Sequence, residues 1–167
     1  MNRSKTPIRM RFFATNALRA VTIALMVSAL ASPLHAEVDA ELGKKLFKAN
    51  CASCHNGFLL TNQAFENNGI EPAGSDSGRA RITGLPEDFL TFRVPSLRNV
   101  EKTAPYMHDG RFQTLDDVIA HYDRGGSGVR NQSPQIQPLQ LTESEKQDLI
   151  AFLKTLTDDI ILTGISP

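Results

Sequence analysis

The sequence contains no tryptophan, and its 167 residues include only two cysteines and two tyrosines. Two cysteines cannot make a structural zinc site, which takes four ligands, and no second Cys/His pair stands elsewhere to complete one. A thioredoxin-like dithiol belongs in a βαβ context, and no such pattern is visible. Internal repeats and low-complexity segments are also absent. No apolar run approaches the ~20 residues that span a bilayer. Charge of either sign is not in surplus, since 18 Lys+Arg balance 18 Asp+Glu.

That balance conceals a division. Arg3, Lys5, Arg9 and Arg11 form a positive segment, followed by the uncharged twelve-residue stretch Ala20–Ala31 and then by Ser32-Pro33-Leu34-His35-Ala36. A basic start, a short apolar centre and a small-residue end make residues 1–36 a secretory signal peptide with cleavage after Ala36. Cleavage after Ala31 and an uncleaved anchor are the alternatives. Residues 37–167 then form one domain, destined for the periplasm and not stably inserted in a membrane once the signal is removed. Residues 1–36 hold five of the 18 Lys+Arg and none of the 18 Asp+Glu, so the remainder carries −5. An acidic exported domain is unsuited to nucleic acid or anionic lipid and fits basic or dipolar partners, although a merely solvated acidic surface is an equal reading.

The two cysteines lie in Cys51-Ala52-Ser53-Cys54-His55. Cys-x-x-Cys-His is the attachment pattern of a c-type haem. Its spacing lets two thiols add to the haem vinyl groups from one helical turn, and the next side chain, His55, becomes the proximal iron ligand. Export agrees with this chemistry.

Three helices are legible. The first starts near Ala40 and runs into the haem motif, with Leu42, Leu46 and Phe47 on one side and Lys44, Lys45 and Lys48 on another. The second starts at the N-cap Thr114, has Asp116 and Asp117 in its first turn, and ends before Gly125-Gly126. Its apolar positions are Leu115, Val118, Ile119 and Tyr122. The third opens with the capping box Thr142-Glu143-Ser144-Glu145 and carries Leu149, Phe152, Leu153 and Leu156 as a stripe. Helices one and three should cross near Gly43, close to Phe152. The connections at roughly 56–95 and 124–141 are rich in Gly, Pro and Asn. Loops of that length are unusual in a compact domain unless a large apolar cofactor serves as the core they wrap.

Three further runs carry a family likeness: Phe92-Arg93-Val94-Pro95-Ser96-Leu97-Arg98-Asn99-Val100, Thr103-Ala104-Pro105-Tyr106-Met107-His108-Asp109-Gly110-Arg111, and Leu149-Ile150-Ala151-Phe152-Leu153-Lys154-Thr155-Leu156-Thr157. In this order they resemble the C-terminal, electron-transfer haem domain of the bacterial dihaem cytochrome c peroxidases and of the methylamine-utilisation dihaem enzyme (MauG). The resemblance implies a mainly α, class I-like cytochrome c domain with long loops wrapped around one covalent haem.

It also indicates where the sixth iron ligand should be sought. The peroxidases place a methionine fourteen residues beyond the histidine of Pro-Tyr-x-His-Asp-Gly, which here is Tyr122, counted from His108. MauG resembles this chain in placing a tyrosine there. A core tyrosine with a backbone partner is the plainer reading of Tyr122. Met107 is the rival, because Met/His is the common pair in electron-transfer cytochromes. By the same resemblance His108 braces the loop near the haem. His121, one step off the stripe, reads as a surface histidine. Arg98 is a candidate partner for a haem propionate or an ordinary loop-bracing arginine.

The departures from the family are specific. The peroxidases have two Cys-x-x-Cys-His motifs and this sequence has one, so the peroxide-reacting domain and its haem are not expected. The tryptophan that lies between the haems of family members has no counterpart. Family calcium would use backbone carbonyls at Thr103 and Pro105 with a further ligand from the missing domain, so a complete calcium site is not expected. The first expectation is therefore a periplasmic single-electron carrier, with no catalytic residue assigned. Its redox partner would be a small cytochrome, a cupredoxin or a peroxidatic haem protein. The alternatives are a peroxidase or MauG-like oxidoreductase, alone or as half of a split dihaem enzyme, and a haem-based sensor of small ligands.

Overall fold

The computed structural model describes residues 37–158 apart from positions 73 and 75. The signal-peptide reading of 1–36 lies outside the described residues. Among the described residues there are four α-helices, two short 3-10 turns and one small sheet.

The first helix, α1 (Ala40–Asn50), starts where Asp39 caps it: the Asp39 carboxylate accepts the N–H groups of Glu41 at 2.8 Å and Leu42 at 3.1 Å. Two otherwise unpaired donors of the first turn are thereby satisfied. Of its apolar residues, Phe47 is buried, Leu46 packs against the core and Leu42 is exposed.

The helices that follow the long loops are fixed by reciprocal caps. In α3 (Leu115–Asp123) the Thr114 hydroxyl accepts the Asp117 N–H at 3.1 Å, and the Asp117 carboxylate accepts the Thr114 N–H at 3.1 Å. In α4 (Glu143–Lys154) Thr142 and Glu145 do the same at 3.3 and 2.8 Å. The α4 stripe buries Leu149 and Leu153, and Ile150 beside them is buried as well.

Helix α1 packs chiefly on α4, with α3 as a smaller neighbour of α4. The crossing is at Gly43, as expected, but the surface it meets is the Asp148–Leu149 backbone rather than Phe152. Phe152 instead meets Phe47, with ring centroids 5.1 Å apart. The common core is Phe47, Val100, Leu115, Ile119, Leu149, Ile150 and Leu153.

The long connections have more structure than their composition suggests. The first holds β1 (Phe65–Glu66), the short helix α2 (Ala80–Thr83), a 3-10 turn (Pro86–Asp88) and β2 (Phe92–Arg93). The strands pair antiparallel, Phe65 opposite Arg93 and Glu66 opposite Phe92. The second connection is bonded to the first. Ser127 N–H donates to the Gly69 carbonyl at 3.0 Å and Ser133 N–H to the Asn67 carbonyl at 2.9 Å. Gly69 (φ +77°) and Gly126 (φ +75°) are required here, because a β-carbon on either would strike the Gln132 carboxamide. Asp123 closes the second connection onto α4 by accepting Leu141 N–H at 2.8 Å and pairing with Lys146 at 3.0 Å.

Candidate haem site

The chain leaves α1 without straightening. Cys51 N–H donates to the Phe47 carbonyl at 2.8 Å, and His55 N–H donates to the Cys51 carbonyl at 2.9 Å. Residues 51–55 therefore continue as one further turn, and Cys51, Cys54 and His55 all line the same cavity of about 420 Å³. The thiols are not joined as a disulfide. Burial, with Cys54 nearby, pushes the Cys51 thiol up to about 11, so it is protonated at neutral pH in this packed turn.

His55 is oriented from behind. Its Nδ1 lies 3.1 Å from the Leu60 carbonyl, which acts as acceptor for an Nδ1–H and leaves the Nε2 lone pair for a metal. Burial is the main influence holding the imidazole below its usual pKa, against the opposing carbonyls of Leu60 and Pro95, and so favours the neutral, ligating form. Leu60 takes a left-handed conformation (φ +52°) to present that carbonyl. Its loop is pinned by Ser96, whose hydroxyl donates to Leu59 at 2.6 Å.

The other walls come from α3, α4 and the loops. Phe47, Val94, Leu97, Leu115, Ile119, Leu149 and Leu153 make the surface mainly apolar. Tyr122 on α3 and Met107 in the loop both line it. Burial raises the Tyr122 phenol above its ordinary pKa, the Asn68 side chain opposes this, and the nearby Cys51 and Cys54 add to it. Met107 is left-handed at φ +72°, and its sulfur accepts a hydrogen bond from Asn68 Nδ2 at 3.3 Å.

One sequence expectation is corrected, and for Arg98, which had two readings, the geometry favours one. His121 is not a surface residue: it is 1% exposed, and its Nε2 donates to the Asn68 carbonyl at 2.8 Å. The three-residue spacing of the apolar stripe hid this, because the loop around Asn68 covers the flank of α3 that the helix pattern leaves blank. Arg98 is not among the residues lining the cavity. Its guanidinium lies over the Phe58 ring at 4.8 Å, donates to the Phe58 carbonyl at 3.1 Å and pairs with Asp158 at 3.2 Å, which makes it a loop brace.

His108 does line the cavity, stacked on Phe92 with centroids 3.8 Å apart. Both its ring nitrogens are buried without a hydrogen-bond partner, the Asp76 carboxylate being 3.7 Å from Nε2. Orphaned buried nitrogens are costly unless a ligand satisfies them. An apolar cavity lined by two thiols, a back-bonded imidazole and the unpaired ring nitrogens of His108 fits a covalent haem. The missed residue is Asn68, and Asn67-Asn68-Gly69 has no sequence signal beyond that of a turn.

This arrangement defines a c-type cytochrome domain. A family model described as cytochrome c matches residues 40–157. The cytochrome-c peroxidase IdrP1 of Denitromonas iodatirespirans is 36% identical over 151 residues, covering 71% of this chain and 40% of that protein. The methylamine utilization protein MauG of Methylorubrum extorquens is 38% identical over 122 residues, covering 71% of this chain and 34% of the relative. A crystal structure of a MauG-like protein associated with microbial copper homeostasis superposes with a TM-score of 0.68 at 38% identity, over 72% of this chain and 47% of the other. The chain spans a third to just under a half of the length of these relatives. It belongs to the cytochrome c family, with a domain of the kind found in the dihaem peroxidase and MauG proteins.

Proposed function

We propose that this protein is a periplasmic c-type cytochrome that carries single electrons through one covalently bound haem. The observation that supports it most is the turn Cys51–His55, which presents two thiols and a back-bonded imidazole to an apolar cavity. Bound there, haem supplies an iron that cycles between Fe(III) and Fe(II). Cys51 and Cys54 would anchor it, His55 would ligate it, and Tyr122 would supply the second protein ligand in preference to Met107. His108 offers its unpaired nitrogens to the haem edge, and the apolar wall keeps water from the metal. Export follows from the pattern of residues 1–36, and among the described residues no helix is long and apolar enough to cross a membrane.

The test is a stopped-flow titration of the purified holoprotein with a reduced small cytochrome or cupredoxin. Fast, reversible one-electron exchange at an iron that stays six-coordinate supports the carrier. Steady peroxide-dependent oxidation of the donor by this chain alone overturns it.

A second reading is favoured by the names of the relatives: an oxidoreductase of the peroxidase or MauG type, alone or completed by a separate haem protein. Activity that arises only when a second haem protein is added supports the completed form.

A further inference from the structure

We propose that Asn68 is a positioning residue that holds the Met107 sulfur by a hydrogen bond, so that Tyr122 rather than Met107 would complete the coordination of a bound haem iron. The proposal rests on the reading of Tyr122 as distal ligand and adds what decides between it and Met107.

A carboxamide has two N–H donors. One of them, on Asn68 Nδ2, reaches the Met107 sulfur at 3.3 Å. The backbone carbonyl of the same residue accepts His121 Nε2 at 2.8 Å, and His121 is next to Tyr122 on α3. Asn68 thus touches the Met107 sulfur through its side chain and the helix of Tyr122 through its backbone, and only one of the two candidates would complete the coordination of a bound iron. A donor to sulfur fixes where the thioether sits, although a second lone pair remains.

Asn68 itself has little freedom to move. Its carbonyl is held by that bond from His121. Asn67 before it is buried, with its side chain donating to the Arg130 carbonyl at 3.1 Å and accepting Gly69 N–H at 2.9 Å. Met107 is held at a left-handed φ of +72°, a conformation that a bulky residue keeps only under constraint from its surroundings. The helix carrying Tyr122 and the loop carrying Met107 therefore meet at one residue.

The experiment uses the ferric and ferrous holoprotein. Wild type should lack a sulfur-to-iron charge-transfer band, and Tyr122→Phe should convert it to high-spin or water-ligated iron. Asn68→Leu and Asn68→Ala should each gain the sulfur band and a higher reduction potential. Adding Met107→Leu should remove the band and return the potential. Asn68→Gln, which keeps the donor, should stay close to wild type. In nitrogen-15 spectra of ferrous wild type, Met107→Leu should shift the Asn68 side-chain amide, a measurement that does not depend on the Asn68 variants folding.

If Tyr122→Phe behaves as stated but the Asn68 variants keep the wild-type spectrum and potential, the Asn68 role is wrong and the Tyr122 reading survives. An Asn68 amide unmoved by Met107→Leu also overturns the role. A sulfur band already present in wild type and lost in Met107→Leu overturns the Tyr122 reading, and the Asn68 proposal with it.

Discussion

Gly43 of α1 lies directly on the Asp148 carbonyl of α4, so close that a β-carbon at position 43 would run into that oxygen. The Asp148 side chain returns to α1 on the same face, accepting Asp39 N–H at 2.7 Å. One residue of α4 thus receives both the start of α1 and its point of closest approach. Because α1 leads straight into Cys51, this crossing sets where the haem-anchoring turn lies.

Gly43→Ala should therefore destabilise the protein, against the usual rule for a helix interior. Alanine in place of glycine returns about 1 kcal/mol of helix propensity. Overpacking against a backbone that cannot rotate away costs about 1–3 kcal/mol, occasionally more. Because the β-carbon would overlap a backbone oxygen, the cost falls at the upper end of that range, and the expected net loss is about 2 kcal/mol, read as a lower urea midpoint of the holoprotein at unchanged slope. Gly43→Val should lose more. An unchanged or raised midpoint for Gly43→Ala would show that the helices can separate freely.

Covalent attachment has its own signature. Cys51→Ala or Cys54→Ala should leave at most one thioether and shift the pyridine-haemochrome band, because one vinyl group stays unsaturated. His55→Ala should prevent holoprotein from accumulating. Extraction of haem from wild type by acid–acetone would count against covalent binding.

Asp123 should give the fold a pH-dependent fastening between α3 and α4. The Leu141 N–H is the main influence holding its carboxyl below the ordinary carboxylate range, and Lys146 adds to it. A lowered folded-state pKa means the stabilisation is complete above the unfolded value and is lost as pH falls through the folded one. The stability difference between wild type and Asp123→Asn should be constant near neutrality. It should shrink only below about pH 4, measured by urea denaturation at several pH values. A gap that persists unchanged at pH 2 would contradict this.

The parts legible in the sequence are those set by local chemistry. Thr142 and Glu145 satisfy each other's backbone three residues apart, so the start of α4 is written in four letters, and Cys51–His55 likewise completes its pattern within one turn. Thr114 was equally readable as a cap, although the aspartate that completes its box is less common there than glutamate. What was not legible depends on contacts between distant segments. Phe65 and Arg93 pair across a stretch that has no period-two pattern, and two-residue strands are too short to show one. Asn68 meets Met107 and His121 across separations of 39 and 53 residues. The burial of His121 follows from that loop rather than from its own helix. Gly43 was readable as a point of close approach, but the side-chain stripe of α4 suggested Phe152 where the true surface is backbone.

The distal ligand connects structure to function, and Tyr122 carries the last expectation. A phenolate is a hard anionic donor that stabilises Fe(III) over Fe(II), so the wild-type potential should lie below that of a Met/His cytochrome. Tyr122→Met, placing a thioether on the same α3 position, should raise the potential. Met107→Leu should change it little. With Tyr122 as the proposed second ligand, Tyr122→Phe should open the iron to exogenous molecules. Peroxide reduction by wild type should be far slower than the ~1–10³ s⁻¹ typical of enzymes, and the Tyr122→Phe variant should react with peroxide faster than wild type. Ferric absorption and electron paramagnetic resonance spectra, taken beside peroxide stopped-flow traces of the same samples, check both claims. If wild type already turns over peroxide in the enzymatic range, Tyr122 does not close the iron, and the chain is an enzyme rather than a carrier.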